Sequence, residues 1–401
     1  MTKIFKRSNL EKQVTKLPQK VIWCKSCTMS NQRPKIIFND QGICSGCINN
    51  ANKEKIDWKE RERELQELLN QHRKNDGSWD VLVPSSGGKD SIYVAHQLKY
   101  KYNMNPLTVT WSPLEYTDIG WINFKSAIKA GFTNILCTPD GVIQRKLSRL
   151  CFEELGDAFH TFVLGQQACP FKIAKKFKIK LVFYGENGGL EYAGADAARK
   201  KDRPFRPVSE FKNQYFKGVT FKELIEFGVK NKDYLSNDDI KKSDLSFYEM
   251  PSNHELEEVG IKGEYFYSYF KKWNPQENFY YATEKTGFSP NPERTEGTYS
   301  KYASLDDKMD GMHYYMRYIK FGLGRCTEDT AHEIRAGHLT RVEALKLIEK
   351  YEGEFPKKYF KDFLNYLDIT ETHFWQVADS WRSKDLWKFE GNSWKLKYPI
   401  K

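Results

Sequence analysis

No stretch of this 401-residue chain approaches the roughly 20 consecutive apolar residues that a bilayer span requires, so a membrane-embedded protein is not expected. The N-terminal MTKIFKRSNLEKQ carries positive charge but no apolar core and no small-residue cleavage site, which argues against a secretory signal and for a cytoplasmic home. Fixed-period repeats and low-complexity segments are also missing, which excludes solenoids and disordered arrays. Acidic residues are in deficit, 53 against 64 Lys and Arg, for a net charge of +11. That balance suits an anionic partner. The lysines are scattered through KKFKIK, KNKDY, IKKSD and the tail, however, as on a solvated surface, and nucleic acid is not the expected partner.

Cysteine is sparse but placed with pattern. Of the eight, four stand alone at Cys137, Cys151, Cys169 and Cys326, as reduced core residues would. The other four form Cys24-x2-Cys27 and Cys44-x2-Cys47, separated by 16 residues. Two CxxC turns can aim four thiolates at one tetrahedral ion, and zinc is the expected metal. The β-prone KIIF between the pairs, followed by Asn39, Asp40 and Gly42, fits a zinc-ribbon hairpin. Such a site ordinarily staples a lobe too small for its own core.

Beyond it, residues 51–78 read as a connecting helix, with Trp58, Leu65, Leu68 and Leu69 at near-helical spacing and NDGS as a breaker. The pattern then changes. Short β-rich runs at Asp80–Pro84, Pro106–Trp111, Asn134–Cys137 and Lys180–Tyr184 alternate with helical stretches at Lys89–Tyr102, Asp118–Gly131, Val142–Gly156 and Phe171–Phe177. Such alternation predicts an α/β fold, a parallel sheet with helices on both faces. Residues 190–300 are basic, aromatic and punctuated by Pro and Gly, and read as insertions around a site mouth. The C-terminal part reads as a helical subdomain: Thr340-x-x-Glu343 is a capping box, Gly353 a stop, and Thr370 precedes an amphipathic HFWQVADSW. The division expected is a zinc-ribbon lobe at 1–50, a connecting helix at 51–78, the α/β domain at 79–325 and the helical subdomain at 326–401.

Ser86-Gly87-Gly88-Lys89-Asp90-Ser91 falls between the first strand and the first helix of the sheet. Its glycines admit an anion to the backbone, and the helix that follows offers free N–H groups and a positive dipole end. The loop lacks the GK[ST] ending of the motif that holds nucleoside triphosphates cleaved at the γ-phosphate. Ligands of such sheets sit beyond the carboxyl ends of the strands, which adds Thr110 and Trp111 after the second strand and Gly185, Glu186 and Asn187 after the fourth.

SGGKDS in this setting resembles the PP-loop of the ATP-pyrophosphatase superfamily, with its adenine nucleotide alpha hydrolase-like fold. That resemblance implies that Ser86, Gly87, Gly88, Lys89 and Ser91 hold the pyrophosphate cleaved from ATP, and that Asp90 helps to place Mg2+. CKSCTMSNQRP, VTWSPLEYTDIGW, VLGQQACPFKIA, LVFYGENGGLEY and YASLDDKMDGMHYYMRYIKFGLGRCTEDTAHEIRAGHLTR together resemble the N-acetyl sugar amidotransferase family of surface-polysaccharide and flagellar-sugar pathways. The resemblance implies conversion of a sugar acetamido group to an acetamidino group with ATP and ammonia. Catalysis would then fall to Lys89, Asp90, Glu186 and Lys308, with Lys301 or Arg325 as further cations and Asp306, Asp307 and Asp310 as metal or positioning groups. His332 and His338 flank the same region. With no cysteine placed as an N-terminal nucleophile and no GxCxG-like elbow, a separate glutaminase is the implied ammonia source. A PP-loop tRNA-thiolating ligase is the alternative, although none of the single cysteines forms a CxxC near the loop. A zinc-ribbon adaptor without enzymatic activity would not need the phosphate loop.

Overall fold

The computed structural model describes residues 5–194, 202–213, 218–231, 234–240 and 245–401. At its centre lie β1 (Val81–Pro84), β2 (Pro106–Trp111), β3 (Thr133–Cys137), β4 (Leu181–Tyr184), β5 (Phe205–Pro207) and β6 (Gly263–Phe266), in the order β3-β2-β1-β4-β6-β5. All neighbours are parallel except the β5–β6 pair. In β1, Val81, Leu82 and Val83 are all fully buried, the continuous apolar run that a two-sided sheet demands. Their side chains alternate: Val81 and Val83 join one core with Leu181 and Phe183, while Leu82 joins the opposite core with Leu107, Val109 and Val182. The first core is closed by the helices Trp58–His72, Lys89–His96 and Pro275–Thr286, and the second by His160–Lys176 and its neighbours.

The chain runs outward from β1 to β3 and returns on the other side of β1 as β4. The strand order therefore reverses between β1 and β4, and a crevice opens there beyond their carboxyl ends. SGGKDS follows β1 and Gly185–Asn187 follows β4, so both loops border that crevice.

Three elements differ from expectation. The helix anticipated at Phe171–Phe177 begins at His160 and runs through Pro170. The region read as insertions supplies two strands of the sheet, β5 and β6; its residues 195–201, 214–217, 232–233 and 241–244 lie outside those described. In the cysteine lobe the pairing is confined to isolated bridges, Trp23 with Ser30 and Phe38 with Cys44. The C-terminal part is helical, with the Thr340–Glu343 capping box in place. It ends in a hairpin, β7 (Trp387–Glu390) and β8 (Ser393–Leu396), turned by Gly391 and Asn392 at φ 59° and 60°. Among the described residues no helix is long and apolar enough to cross a membrane.

Candidate active site and metal centre

β1 stops at Pro84, and the loop after it is held from three directions. Gly87 sits at φ +87°, and a Cβ there would come within 2.8 Å of the Asn123 carbonyl oxygen, so the loop presses directly on the helix Asp118–Lys129. Ser85 supports it from below: its hydroxyl accepts from the Gly87 N–H at 3.3 Å and shares a hydrogen bond with Ser91 Oγ at 3.0 Å. The Ser85 carbonyl accepts from Thr110 Oγ1 at 2.5 Å. Thr110 therefore braces the loop from β2. Sequence reading missed Ser85, whose neighbours carry the motif. The helix that follows, Lys89–His96, has no side-chain cap, which leaves its first N–H groups for an anion.

Ser86, Gly88, Lys89, Asp90, Ser91, Thr110, Trp111, Gly185, Glu186 and Asn187 all line one cavity of about 1510 Å³. Gly87 lies beneath it, against Asn123. Lys89 Nζ contacts the Asp90 carboxylate and stands 5.3 Å from the ring centre of Tyr302, and Asp90 also accepts from Asn278 Nδ2 at 2.9 Å. Asn187 caps the short helix Gly188–Glu191 by accepting from the Gly189 N–H at 3.0 Å. That leaves Glu186 free of the capping role. Its carboxylate accepts from the Tyr192 hydroxyl at 2.8 Å. Burial first, and then the Asp90 charge, push its pKa up to about 7. A buried carboxyl group with a raised pKa in a cavity is a candidate for proton handling. Gly185 lets the β4 exit pass Trp273, where a Cβ would approach the indole to 2.8 Å.

The facing wall comes from the SLDDKMD segment and the helices after it. Asp306 lines the cavity, and burial followed by the Asp310 charge raises its pKa, against a hydrogen bond from Ser86. Asp307 is a fastener: it accepts from the Leu114 N–H at 2.5 Å and the Met309 N–H at 2.8 Å, tying the segment to the loop after β2. Lys308 departs from expectation. Its ammonium reaches Glu115 at 2.7 Å and Asp362 at 3.2 Å and is not among the groups lining the cavity. Two acidic neighbours hold it there, while Arg317 and Arg325 line the cavity. Lys301 binds the Pro292 carbonyl at 2.8 Å on the exterior, and His338 pairs with Glu333 at 2.6 Å. His332 lines the cavity, and burial holds its pKa well below the usual range. His313, unremarked in the sequence, also lines it, with Nδ1 2.8 Å from the buried Asp157 carboxylate. That pairing spans 156 residues, too far for any local signal.

Cys24, Cys27, Cys44 and Cys47 converge with all four sulfurs within 4.8 Å of one another. The Cys27–Cys44 and Cys24–Cys47 sulfur separations are 3.6 and 4.0 Å, bracketing the ~3.8 Å edge of a tetrahedron with metal–sulfur bonds near 2.3 Å. Backbone N–H groups of Ser26 and Cys44 point at Cys24 Sγ from 3.4 and 3.3 Å, as suits a thiolate. The four thiols fit a metal ion. The lobe packs through Met29 onto Leu323 and Ala331, and Thr28 Oγ1 donates to the Thr327 carbonyl at 2.9 Å.

Residues 296–400 match the family model described as "LPS biosynthesis protein WbpG-like, C-terminal domain"; this stretch supplies the SLDDKMD segment and the helices of the facing wall. Over 87 residues, 21% of the chain, the sequence is 31% identical to an uncharacterized protein of Methanocaldococcus jannaschii, and the match spans 31% of that protein. A search of solved structures pairs the chain with a U34-tRNA thiolase from Methanococcus maripaludis, NcsA with its [4Fe-4S] cluster, at 15% identity and a TM-score of 0.30 over 82% of this chain and 89% of that one.

Proposed function

We propose that the chain is an AMP-forming amidotransferase that converts the acetamido group of an N-acetylated sugar to an acetamidino group for lipopolysaccharide or related glycan synthesis. One observation carries this reading. The SGGKDS loop opens at the strand-order reversal onto a cavity whose far wall belongs to the region matching the lipopolysaccharide-biosynthesis family model.

An amide carbon is a weak electrophile and its oxygen a poor leaving group, so activation must precede amination. The acetamido oxygen attacks the α-phosphorus of ATP and pyrophosphate leaves into the cradle of Ser86, Gly88, Lys89 and Ser91. Ammonia adds to the resulting imidate carbon, loses a proton, and AMP departs with the former amide oxygen. The chain contributes positions and charge more than covalent chemistry. Asp90 and Asp306 would hold Mg2+, which would supply charge neutralisation for the phosphates. His313, oriented by Asp157, and Glu186, with its pKa about 7, are the groups suited to take the ammonia proton. Ammonia would come from a separate glutaminase. The four-cysteine centre is read as a structural zinc site.

The test incubates purified protein with ATP, ammonium and a panel of free and nucleotide-linked N-acetylated sugars, and follows the mass change of an oxygen-to-NH exchange. Amidine formation with ammonium, and with glutamine only when a glutaminase is added, supports the reading. Stimulation of AMP release by tRNA instead of sugars would replace it with the thiolating ligase.

A further inference from the structure

The cavity has a second polar wall that the ATP chemistry does not use. Arg33 arrives from the four-cysteine lobe and Arg317 from the helix Asp310–Phe321. Both guanidinium groups lean on one carboxylate, Glu328, with Arg33 Nη1 at 3.3 Å and Arg317 Nη1 in contact. Arg325 already has Asp329, at 2.9 Å. Glu333 lines the same wall, so three cations face three carboxylates and the formal charges balance.

The unmet hydrogen-bonding capacity is more specific than the charge. Arg33 Nε, Arg317 Nη2, Tyr299 Oη and His332 Nε2 are each buried and without a partner among the described residues, and all four side chains line the cavity. A buried polar group without a partner is destabilising, so four along one wall call for a ligand that supplies the missing partners. Both guanidinium atoms and the phenol are donors, so the ligand presents acceptors, and an anionic oxygen is the acceptor that two guanidinium N–H groups bind most strongly. Tyr192 lies between this wall and the loop: its hydroxyl donates to Glu186 at 2.8 Å, and its ring meets His332 edge-on at 4.8 Å.

We infer that Arg33, Arg317, Tyr299 and His332 form an acceptor subsite that binds the anionic group of the substrate, phosphate or carboxylate, separate from the ATP cradle. This rests on the sugar-substrate reading above. It also gives the cysteine lobe a part in recognition, because Arg33 reaches the cavity only while Thr28 and Met29 dock the lobe on the C-terminal helices.

Binding is measured by equilibrium titration in the presence of a saturating non-hydrolysable ATP analogue, with UDP-N-acetylglucosamine as the diphosphate probe and N-acetylneuraminic acid as the carboxylate probe. Wild-type protein should bind at least one of them, and which one identifies the anion. Arg33→Gln and Arg317→Gln should weaken that probe by about tenfold or more, as loss of a buried charged contact does, and leave the affinity for the ATP analogue unchanged. Tyr299→Phe, which removes a single oxygen and keeps the packing, should weaken the probe severalfold and decides the matter if an arginine variant does not fold. Binding of neither probe to the wild type, unchanged binding in the variants, or equal loss of the ATP analogue would each overturn the subsite. Turnover is not needed for this readout. A protein that binds the probe through Arg33 but forms no amidine refutes the proposed reaction and keeps the subsite.

Discussion

Glu186 sits where two effects oppose its charge: burial, and the Asp90 carboxylate across the cavity. Its folded pKa of about 7 lies above the unfolded value near 4.3. The neutral form is therefore the one the fold favours. The stability it contributes is fully present below pH ~4.3 and is lost as pH rises through 7, by as much as ~3 kcal/mol. Glu186→Gln should remove that loss, so the melting temperature of the ligand-free variant should exceed the wild type by a margin that widens between pH 5 and pH 8. Parallel melting curves across that range would show that Glu186 is ionised in the fold throughout. For the proposed reaction the same pKa predicts that amidine formation rises through pH 7 in wild type and loses that limb in Glu186→Gln, read from kcat/KM against pH. The motif residues were legible because glycines, a lysine and hydroxyls cluster at one strand end. Lys308 was not: its segment could be found, but its side chain turns to Glu115 and Asp362, and direction is set by partners distant in sequence.

At the scale of elements, the four central strands were readable because each is a short apolar run bounded by turn residues, and β2 matches its expected limits, Pro106–Trp111. The helix His160–Lys176 was read short because Gly165 and Pro170 look like breakers, whereas tertiary packing overrides them. A Cβ on Gly165 would fall 2.2 Å from the Trp111 indole, and Trp111 is only 4% exposed. Glycine is the residue that lets this helix pass the end of β2. Gly165→Ala should destabilise the fold by about 1–3 kcal/mol through overpacking, measured by urea unfolding. It should also weaken binding of an ATP analogue by displacing Trp111; full stability with unaltered binding would contradict this packing. β5 and β6 escaped notice for another reason: at three and four residues they are too short for an alternating pattern to stand out.

The whole molecule is held by long-range ties between its ends and its middle. Lys320 is buried against Glu11 at 3.3 Å and donates to the Leu155 carbonyl at 2.7 Å, joining the N-terminal segment, the sheet domain and the C-terminal helices. Lys320→Met would leave Glu11 without its cation, and a loss of about 3–5 kcal/mol is expected from chemical denaturation. The four-cysteine lobe is the other tie. Elemental analysis should return close to one zinc per chain, lost when Cys24 and Cys27 are both changed to serine, with a lower melting temperature; an iron–sulfur absorption spectrum would contradict zinc. The cysteine spacing showed that four thiols of the lobe can converge on one metal ion. It could not show that Arg33 projects from it into the cavity, since that depends on docking against residues some 300 positions away. Adenylation of an amide oxygen in this cavity, as proposed, would leave its signature in the nucleotide products. With ATP, ammonium and an accepted N-acetylated sugar, chromatography should find AMP and pyrophosphate in proportion to amidine formed, and stoichiometric ADP and phosphate would contradict it.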